Sequence, residues 1–376
     1  HLSIRRQRQM CIRDRIAPFP ARIFIPPYAE PLNPNIPAAV MEGINMIGTA
    51  MRERLHRENK PGAISYVGYD AWWNGGLRTV PAFHNMHGIL TETAGFGYAT
   101  PKEYKASEFP ERFANGIPTK FPTVFYPLPW QGGRWALKDA MDYMLTVDWA
   151  ILDLAAQRNQ HFLTKAYDLA RKNIDDKTFY GYIVSANQRD PHAAAVLVDR
   201  LQMAGIEVHR LNQTITHNFK TYPEGSFVLK AQKAFRGYLV DLLEPQKYPE
   251  LRSGQTGPTK RPYDLAGWTL SYQMGVDVEK LGSALPGESS LAKVEKVQYP
   301  ESTWNHSDSG SFLKIASTLK QGSPVYWSAK GEMSTTQNGS AFKLKTPRVA
   351  VYEPHTANMD AGWTMWLLEN FKIPYV

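Results

Sequence analysis

Apolar residues recur every three or four positions in the first long segment of regular pattern, which is the spacing of one face of an α-helix. Asn35 is predicted to cap this helix, Pro37 lies in its first turn, and Asn59, Pro61 and Gly62 end it. We expect this face to pack on a hydrophobic core. Its residues are Val40, Ile44, Ile47, Met51 and Leu55.

Two further helices are predicted after residue 133. The same spacing continues through both of them, and the pattern is typical of a helix face buried in a core. The predicted core residues are Ala140, Met144, Val147, Ile151 and Leu154 in the first helix, and Phe162, Ala166 and Leu169 in the second.

From residue 179 the pattern changes to strand, helix, strand. Residues 179–185 are apolar and β-prone, Pro191 opens a helix that Gly205 ends, and residues 206–211 alternate as the next strand. This order predicts a βαβ-like unit with parallel strands. Residues 348–352, 359–371 and 373–376 repeat the order, with Trp363, Trp366 and Leu367 inside the last helix. A single unit cannot close a doubly wound core, so we expect the C-terminus to be truncated.

Prolines and glycines predict irregular structure elsewhere. Residues 19–37 carry six prolines and are predicted as an extended loop, and residues 96–133 as a long irregular excursion. Residues 86–95, MHGILTETAG, are interpreted as a short buried strand ending in a turn.

The net charge is +8, but five arginines against one acid in the first fifteen residues supply half of it. The rest of the charge is scattered, so the composition predicts no nucleic-acid partner. No stretch is apolar enough to predict a membrane span.

The run RQRQMCIRDR, which contains Cys11, resembles translated sequencing-adapter read-through. We exclude it from the fold, although a basic N-terminal tail is the other interpretation.

Glu92 is the carboxylate with the best pattern for catalysis. It follows an apolar run in ILTET and precedes Gly95. A glutamate at the carboxyl end of an α/β strand faces the usual ligand crevice, and burial there raises a carboxyl pKa toward the range of a general base. The alternative is a surface glutamate at a strand end.

Two other groups of side chains are weaker candidates. His84 and His87 form HNMH, which on a strand points them to opposite faces and favours structural histidines over a metal site. Aromatic residues crowd the glycine-bearing loop before Glu92, where they predict either a substrate groove or simple packing. They are Tyr66, Tyr69, Trp72 and Trp73.

Four blocks resemble a large bacterial branch of the zinc carboxypeptidase family. GYDAWWNGGLRTVPAFHNMHGILTETAG resembles the last part of its catalytic domain, and ARIFIPPYAEPLNPN the stretch after its third zinc ligand. YLVDLLEPQKYPELRSGQTGPTKRPYDLAGWTL resembles the region that follows the peptidase domain. KTPRVAVYEPHTANMDAGWTMWLLENFKIPYV resembles the opening of its amidotransferase-like C-terminal domain.

The resemblance implies an incomplete α/β/α sandwich, then a smaller α/β domain, then the start of an amidotransferase-like α/β domain. It implies that Glu92 is the general base, that Tyr69 (with Tyr66 as second choice) is a lid tyrosine that binds substrate, and that the specificity pocket lies at Leu77 or Arg78. Arg78 there would favour acidic C-terminal residues, while an outward structural arginine is the alternative. The family location is periplasmic or secreted.

The implied domains are residues 16–175 for the end of the peptidase domain, 176–345 for an accessory region and 346–376 for the truncated third domain, after the foreign-looking residues 1–15.

The family holds zinc by an HxxE motif and a later histidine, and the chain contains no HxxE. We therefore expect no zinc and no activity in this chain alone, although the parent would be a zinc-dependent hydrolase of peptide substrates. The alternative is a non-catalytic module that binds peptides or cell-wall material.

Overall fold

The computed structural model describes residues 17–95, 100–252, 257–264, 267–287, 291–355 and 358–376. The foreign-looking residues 1–15 lie outside the described residues. Two compact units are present: the first combines the described part of Arg13–Asp175 with Ala234–Trp268, and the second combines Asp176–Lys233 with Thr269–Val376. Over the described residues the protein is mixed α/β, with several small sheets and nine α-helices.

The helices of the described residues vary from one turn to more than five turns. In chain order they are α1 (Ala38–Arg57), α2 (Val80–Phe83), α3 (Leu137–Gln157), α4 (Asn159–Asp175), α5 (Pro191–Met203), α6 (Arg236–Leu243), α7 (Leu270–Met274), α8 (Ser309–Lys320) and α9 (Met359–Asn370).

The strands are short, between two and four residues each. In the first unit they are β1 (Ile23–Phe24), β2 (Ala29–Leu32), β3 (Ala63–Ile64), β4 (Asp70–Ala71), β5 (Glu92–Thr93), β6 (Lys102–Lys105) and β7 (Gly132–Trp135). In the second unit they are β8 (Gly181–Val184), β9 (Val208–Leu211), β10 (Ile215–His217), β11 (Lys220–Tyr222), β12 (Phe227–Lys230), β13 (Val278–Leu281), β14 (Leu291–Lys293), β15 (Tyr326–Trp327), β16 (Met333–Ser334) and β17 (Phe342–Lys343).

Helix α1 provides one side of the core of the first unit. All five residues of its predicted stripe are buried, which confirms the periodic pattern. The predicted cap was wrong: the helix begins at Ala38, directly after Pro37, and the side chain of Asn35 donates to Asp241 instead of capping it. Helix α3 packs against α1. The stripe predicted for α3 was wrong at Met144, which is exposed. The buried face of α3 is rotated to Ala140, Tyr143, Thr146, Val147 and Ala150.

The proline-rich residues 19–37 contain strands β1 and β2, so the prediction of a loop without regular structure was wrong. Strand β1 is the centre of a three-stranded sheet, parallel to β3 and antiparallel to β5. The prolines do not interrupt β1 because they flank it: Pro20 and Pro26 lie on either side of the buried residues 21–25.

The second unit contains a five-stranded sheet in the order β13-β8-β12-β9-β14, and every neighbouring pair is antiparallel. The predicted elements of the βαβ-like unit, β8, α5 and β9, are all present. Strands β8 and β9 run in the same direction, but they are not neighbours, because β12 lies between them and hydrogen bonds to both.

The last predicted unit is present in reduced form. Instead of two strands, a single parallel bridge joins Val349 to Tyr375, and α9 lies between them along the chain. The side chains of Trp363, Trp366 and Leu367 in α9 are exposed. Among the helices of the described residues, none combines the length and apolar character needed to cross a membrane.

Candidate functional site

Glu92 is half-buried at the start of β5, an edge strand of the sheet. It lies opposite Phe24 of β1, and directly opposed residues share a face of a sheet, so the two side chains lie on the same face. The apolar strand predicted before Glu92 is absent. Both backbone groups of Leu90 bond to the hydroxyl of Tyr28 instead of to a strand, since its N–H donates to that oxygen at 2.8 Å and its carbonyl accepts at 3.1 Å.

Tyr69 packs against Phe24, which lies on this same face of the sheet, and Tyr69 is almost completely buried. Its ring centroid is 6.2 Å from that of Phe24 and 4.4 Å from that of Tyr28. Burial raises the pKa of Tyr69 well above its ordinary value, so its hydroxyl stays protonated at neutral pH. Tyr66 lies elsewhere, with its ring stacked on Phe125 at 4.7 Å. The structure therefore brings Tyr69, but not Tyr66, toward the Glu92 side of the sheet.

Arg78 packs on the ring of Tyr69. Its guanidinium carbon lies 4.4 Å from that ring centroid, 5.6 Å from Tyr263 and 5.9 Å from Trp73. The residue is buried, so the outward position in the structural-arginine alternative was wrong, while the neighbouring Leu77 is almost fully exposed. The Nη2 atom of Arg78 forms an ion pair with Asp264. A buried guanidinium needs such an anion because desolvating an unpaired charge is costly.

The described residues of the stretch 234–268, namely 234–252, 257–264 and 267–268, return to the first unit, and several of them contact this same region; we call them the covering segment. Within it, Tyr248 donates its hydroxyl to Asp70 Oδ2 at 3.1 Å, and the backbone N–H of Tyr263 reaches the same oxygen at 3.3 Å. The Tyr248 ring lies 4.8 Å from that of Trp72 and stacks on that of Trp268 at 5.6 Å. Burial raises the pKa of Asp70, and the nearby negative charge of Asp264 raises it further.

Asp241 in α6 anchors the start of the covering segment. It is almost completely buried and accepts hydrogen bonds from three side-chain amides: Asn33 at 2.7 Å, Asn35 at 2.9 Å and Gln246 at 2.7 Å. Burial raises the pKa of Asp241, and these hydrogen bonds oppose that effect. At the other end, the amide of Asn74 donates to the carbonyl of Trp268 at 2.9 Å.

The two histidines of HNMH pack in different places. His84 lies against the rings of Phe235 and Tyr238, and His87 lies against Phe162. In the part of the chain that the structure describes, no three His, Cys, Asp or Glu side chains form a group that could hold a metal ion. The described residues therefore do not fit the zinc ion that the family resemblance implies.

Sequence reasoning missed four residues that surround the candidate site, namely Asp70, Asp241, Tyr248 and Asp264. One signal was present in the pattern: Asp241 is the sole charged residue in the apolar run YLVDLL, which is unusual for a buried helix face. For Asp264 no local signal exists, because its partner Arg78 is 186 positions away.

No protein-family model matches the chain, and neither a curated protein nor a solved structure is similar enough to count as a match. The resemblance to zinc carboxypeptidases therefore depends on the four sequence blocks alone.

The geometry defines what this region is able to do chemically. A half-buried carboxylate, Glu92, lies at a sheet edge, and a buried cation, Arg78, is paired with the carboxylate of Asp264. The ring of Phe24, which shares a sheet face with Glu92, packs against the ring of Tyr69, and Arg78 packs on that same Tyr69 ring.

Proposed function

We propose that this chain is part of a zinc-dependent metallocarboxypeptidase-like hydrolase of peptide bonds, with Glu92 as its general base. The zinc ligands would come from residues outside this chain. The finer architecture belongs to the same proposal: the end of an α/β/α peptidase domain, a smaller α/β domain and the start of an amidotransferase-like domain.

One observation supports the proposal most. Three residues assigned by the resemblance lie near one another: Glu92 shares a sheet face with Phe24, the Phe24 ring packs against Tyr69, and Arg78 packs on Tyr69. In hydrolysis, Glu92 would accept a proton from the attacking water, which requires the carboxylate to lie within about 3 Å of that water. Arg78 would bind a carboxylate of the substrate.

The test uses the complete reading frame from which this chain comes, expressed with its upstream residues and assayed on peptides with free C-termini. Glu92→Gln removes the proton acceptor and preserves the shape, so we expect peptide and zinc binding to persist while kcat falls by roughly three orders of magnitude or more. Glu103→Gln, on the exposed surface of β6, is the matched control and should keep full activity. An active Glu92→Gln enzyme would show that another group is the base.

The second candidate is a non-catalytic module that binds peptides or cell-wall material. The cluster of Trp72, Tyr248 and Trp268 rings favours it, because aromatic groups supply much of the binding energy in peptide and sugar recognition. An HxxE sequence in the upstream reading frame, with turnover of peptides, would exclude this candidate. Tight peptide binding without turnover in the complete protein would support it.

A further inference from the structure

We propose that Asp264 is a built-in competitor for the substrate: its carboxylate occupies the anion position beside Arg78, and a peptide with an acidic C-terminal residue displaces it. This inference depends on the proposed function, because it assigns an occupant to the same site. It adds a regulated state, in which the covering segment closes the site until an anionic ligand replaces Asp264.

The first argument is that Arg78 is incompletely paired. Only its Nη2 donates to Asp264, while its Nε is buried and has no hydrogen-bond acceptor among the described residues. Guanidinium groups pair best through two parallel N–H donors, and a buried donor without a partner is destabilising. A ligand carboxylate that approaches along the Nε–Nη2 edge would satisfy both donors, which Asp264 does not.

The second argument concerns how the covering segment is held. Its beginning is fixed by the buried Asp241 network, and its end by the bond from Asn74 to Trp268. Between these anchors, Tyr263 is 47% exposed, and its N–H bond to Asp70 is long at 3.3 Å. The tip formed by Tyr263 and Asp264 is therefore able to move without unfolding α6 or the core of the first unit.

The third argument concerns ligand chemistry. The walls around the guanidinium are the rings of Tyr69 and Trp73, with Tyr263 contributed by the tip itself. A cation enclosed by aromatic rings selects a compact anion on an apolar stem, which describes the side chain of a glutamate or aspartate. Departure of Tyr263 together with Asp264 would open one of the three walls to this side chain.

The experiment measures binding of acetyl-Ala-Glu to the full chain by calorimetry, with acetyl-Ala-Gln as the probe that lacks the side-chain carboxylate. For Asp264→Asn we expect the acidic peptide to bind at least about tenfold more tightly than to the wild type. The reason is that the apparent affinity scales with the fraction of molecules whose site is free, and Asp264 reduces that fraction in the wild type. Arg78→Gln should abolish this binding, and Glu103→Gln should leave it unchanged.

Asp264→Asn also removes the partner of a buried cation and is at risk of poor folding, so a second measurement uses the wild type alone. Hydrogen exchange of residues 257–264 should accelerate when acetyl-Ala-Glu binds, while residues 236–243 should stay protected. Unchanged affinity in Asp264→Asn, or unchanged hydrogen exchange in the ligand-bound wild type, would refute the proposal that Asp264 competes with the substrate. Neither result would refute the proposed function. If the chain does not bind the acidic peptide at all, the competition proposal is also refuted. The turnover test on Glu92 then decides the proposed function separately.

Discussion

The side-chain amide of Asn33 donates a hydrogen bond of 2.7 Å to the carboxylate of Asp241, and both residues are buried. They are 208 positions apart in the chain, and residues 176–233, which lie between them, belong to the other compact unit. The bond therefore joins the covering segment to the start of the first unit. This contact makes residues 234–268 part of that unit rather than a linker.

Replacement of this anchor gives the first prediction. In Asp241→Asn one carboxylate oxygen becomes an NH₂ group, which then faces the donor amides of Asn33, Asn35 or Gln246. We expect the free energy of unfolding of the first unit to fall by about 1–3 kcal/mol, the cost of leaving buried donors unpaired. Urea denaturation followed by tryptophan fluorescence measures this change.

The control for this variant is Asp168→Asn, on the exposed surface of α4 in the same unit. It should change the free energy of unfolding by less than about 0.5 kcal/mol. An Asp241→Asn protein as stable as the control would mean that the amide network does not anchor the covering segment.

The second prediction concerns pH and Glu58. Its carboxylate accepts from Thr146 Oγ1 at 2.7 Å, Lys60 Nζ at 3.0 Å and Arg54 Nε at 3.0 Å. The hydrogen bond from Thr146, with those from the two cations, lowers the pKa of Glu58 to about 2. A lowered carboxyl pKa stabilises the fold above the ordinary value of 4.5, and this stabilisation is lost as the pH falls from 4.5 to about 2.

We therefore expect Glu58→Gln to lower the free energy of unfolding by about 1 kcal/mol at pH 7, a value kept small by solvent screening of this partly exposed group. The difference from the wild type should shrink steadily between pH 4.5 and 2. Denaturation curves at several pH values measure it. Glu53→Gln, which removes an exposed pair with Arg57 at 3.4 Å, should have little effect at any pH. A difference that is constant with pH would contradict the assignment.

The third prediction compares two methionines that the helical pattern treated alike. Met51 of α1 is fully buried, whereas Met144 of α3 is 41% exposed. Met51→Ala should lower the free energy of unfolding by about 2–5 kcal/mol, because it leaves a cavity in the core. Met144→Ala should change it by less than about 0.5 kcal/mol. Equal losses in the two variants would show that α3 packs with a different face from the one observed.

The candidate site was predictable in part. Tyr69 and Arg78 were singled out from the sequence, and the structure places them in contact; Glu92 was singled out too, and its catalytic role stays a prediction. The position of Glu92 at the end of an apolar strand was wrong. Tyr28 binds both backbone groups of Leu90, and a side chain 62 positions away leaves no trace in the local alternation of apolar residues.

The sequence by itself determined the elements whose patterns are long and local. The stripe of α1, the order of β8, α5 and β9, and the position of α9 all follow from periodicity, because helix and strand geometry repeat over neighbouring residues. Only the tertiary structure decided which face of α3 is buried, that β12 separates β8 from β9, and that Asp264 pairs with Arg78. Each of these depends on a partner from a distant part of the chain, and the energy of burial is set by that partner rather than by the local pattern.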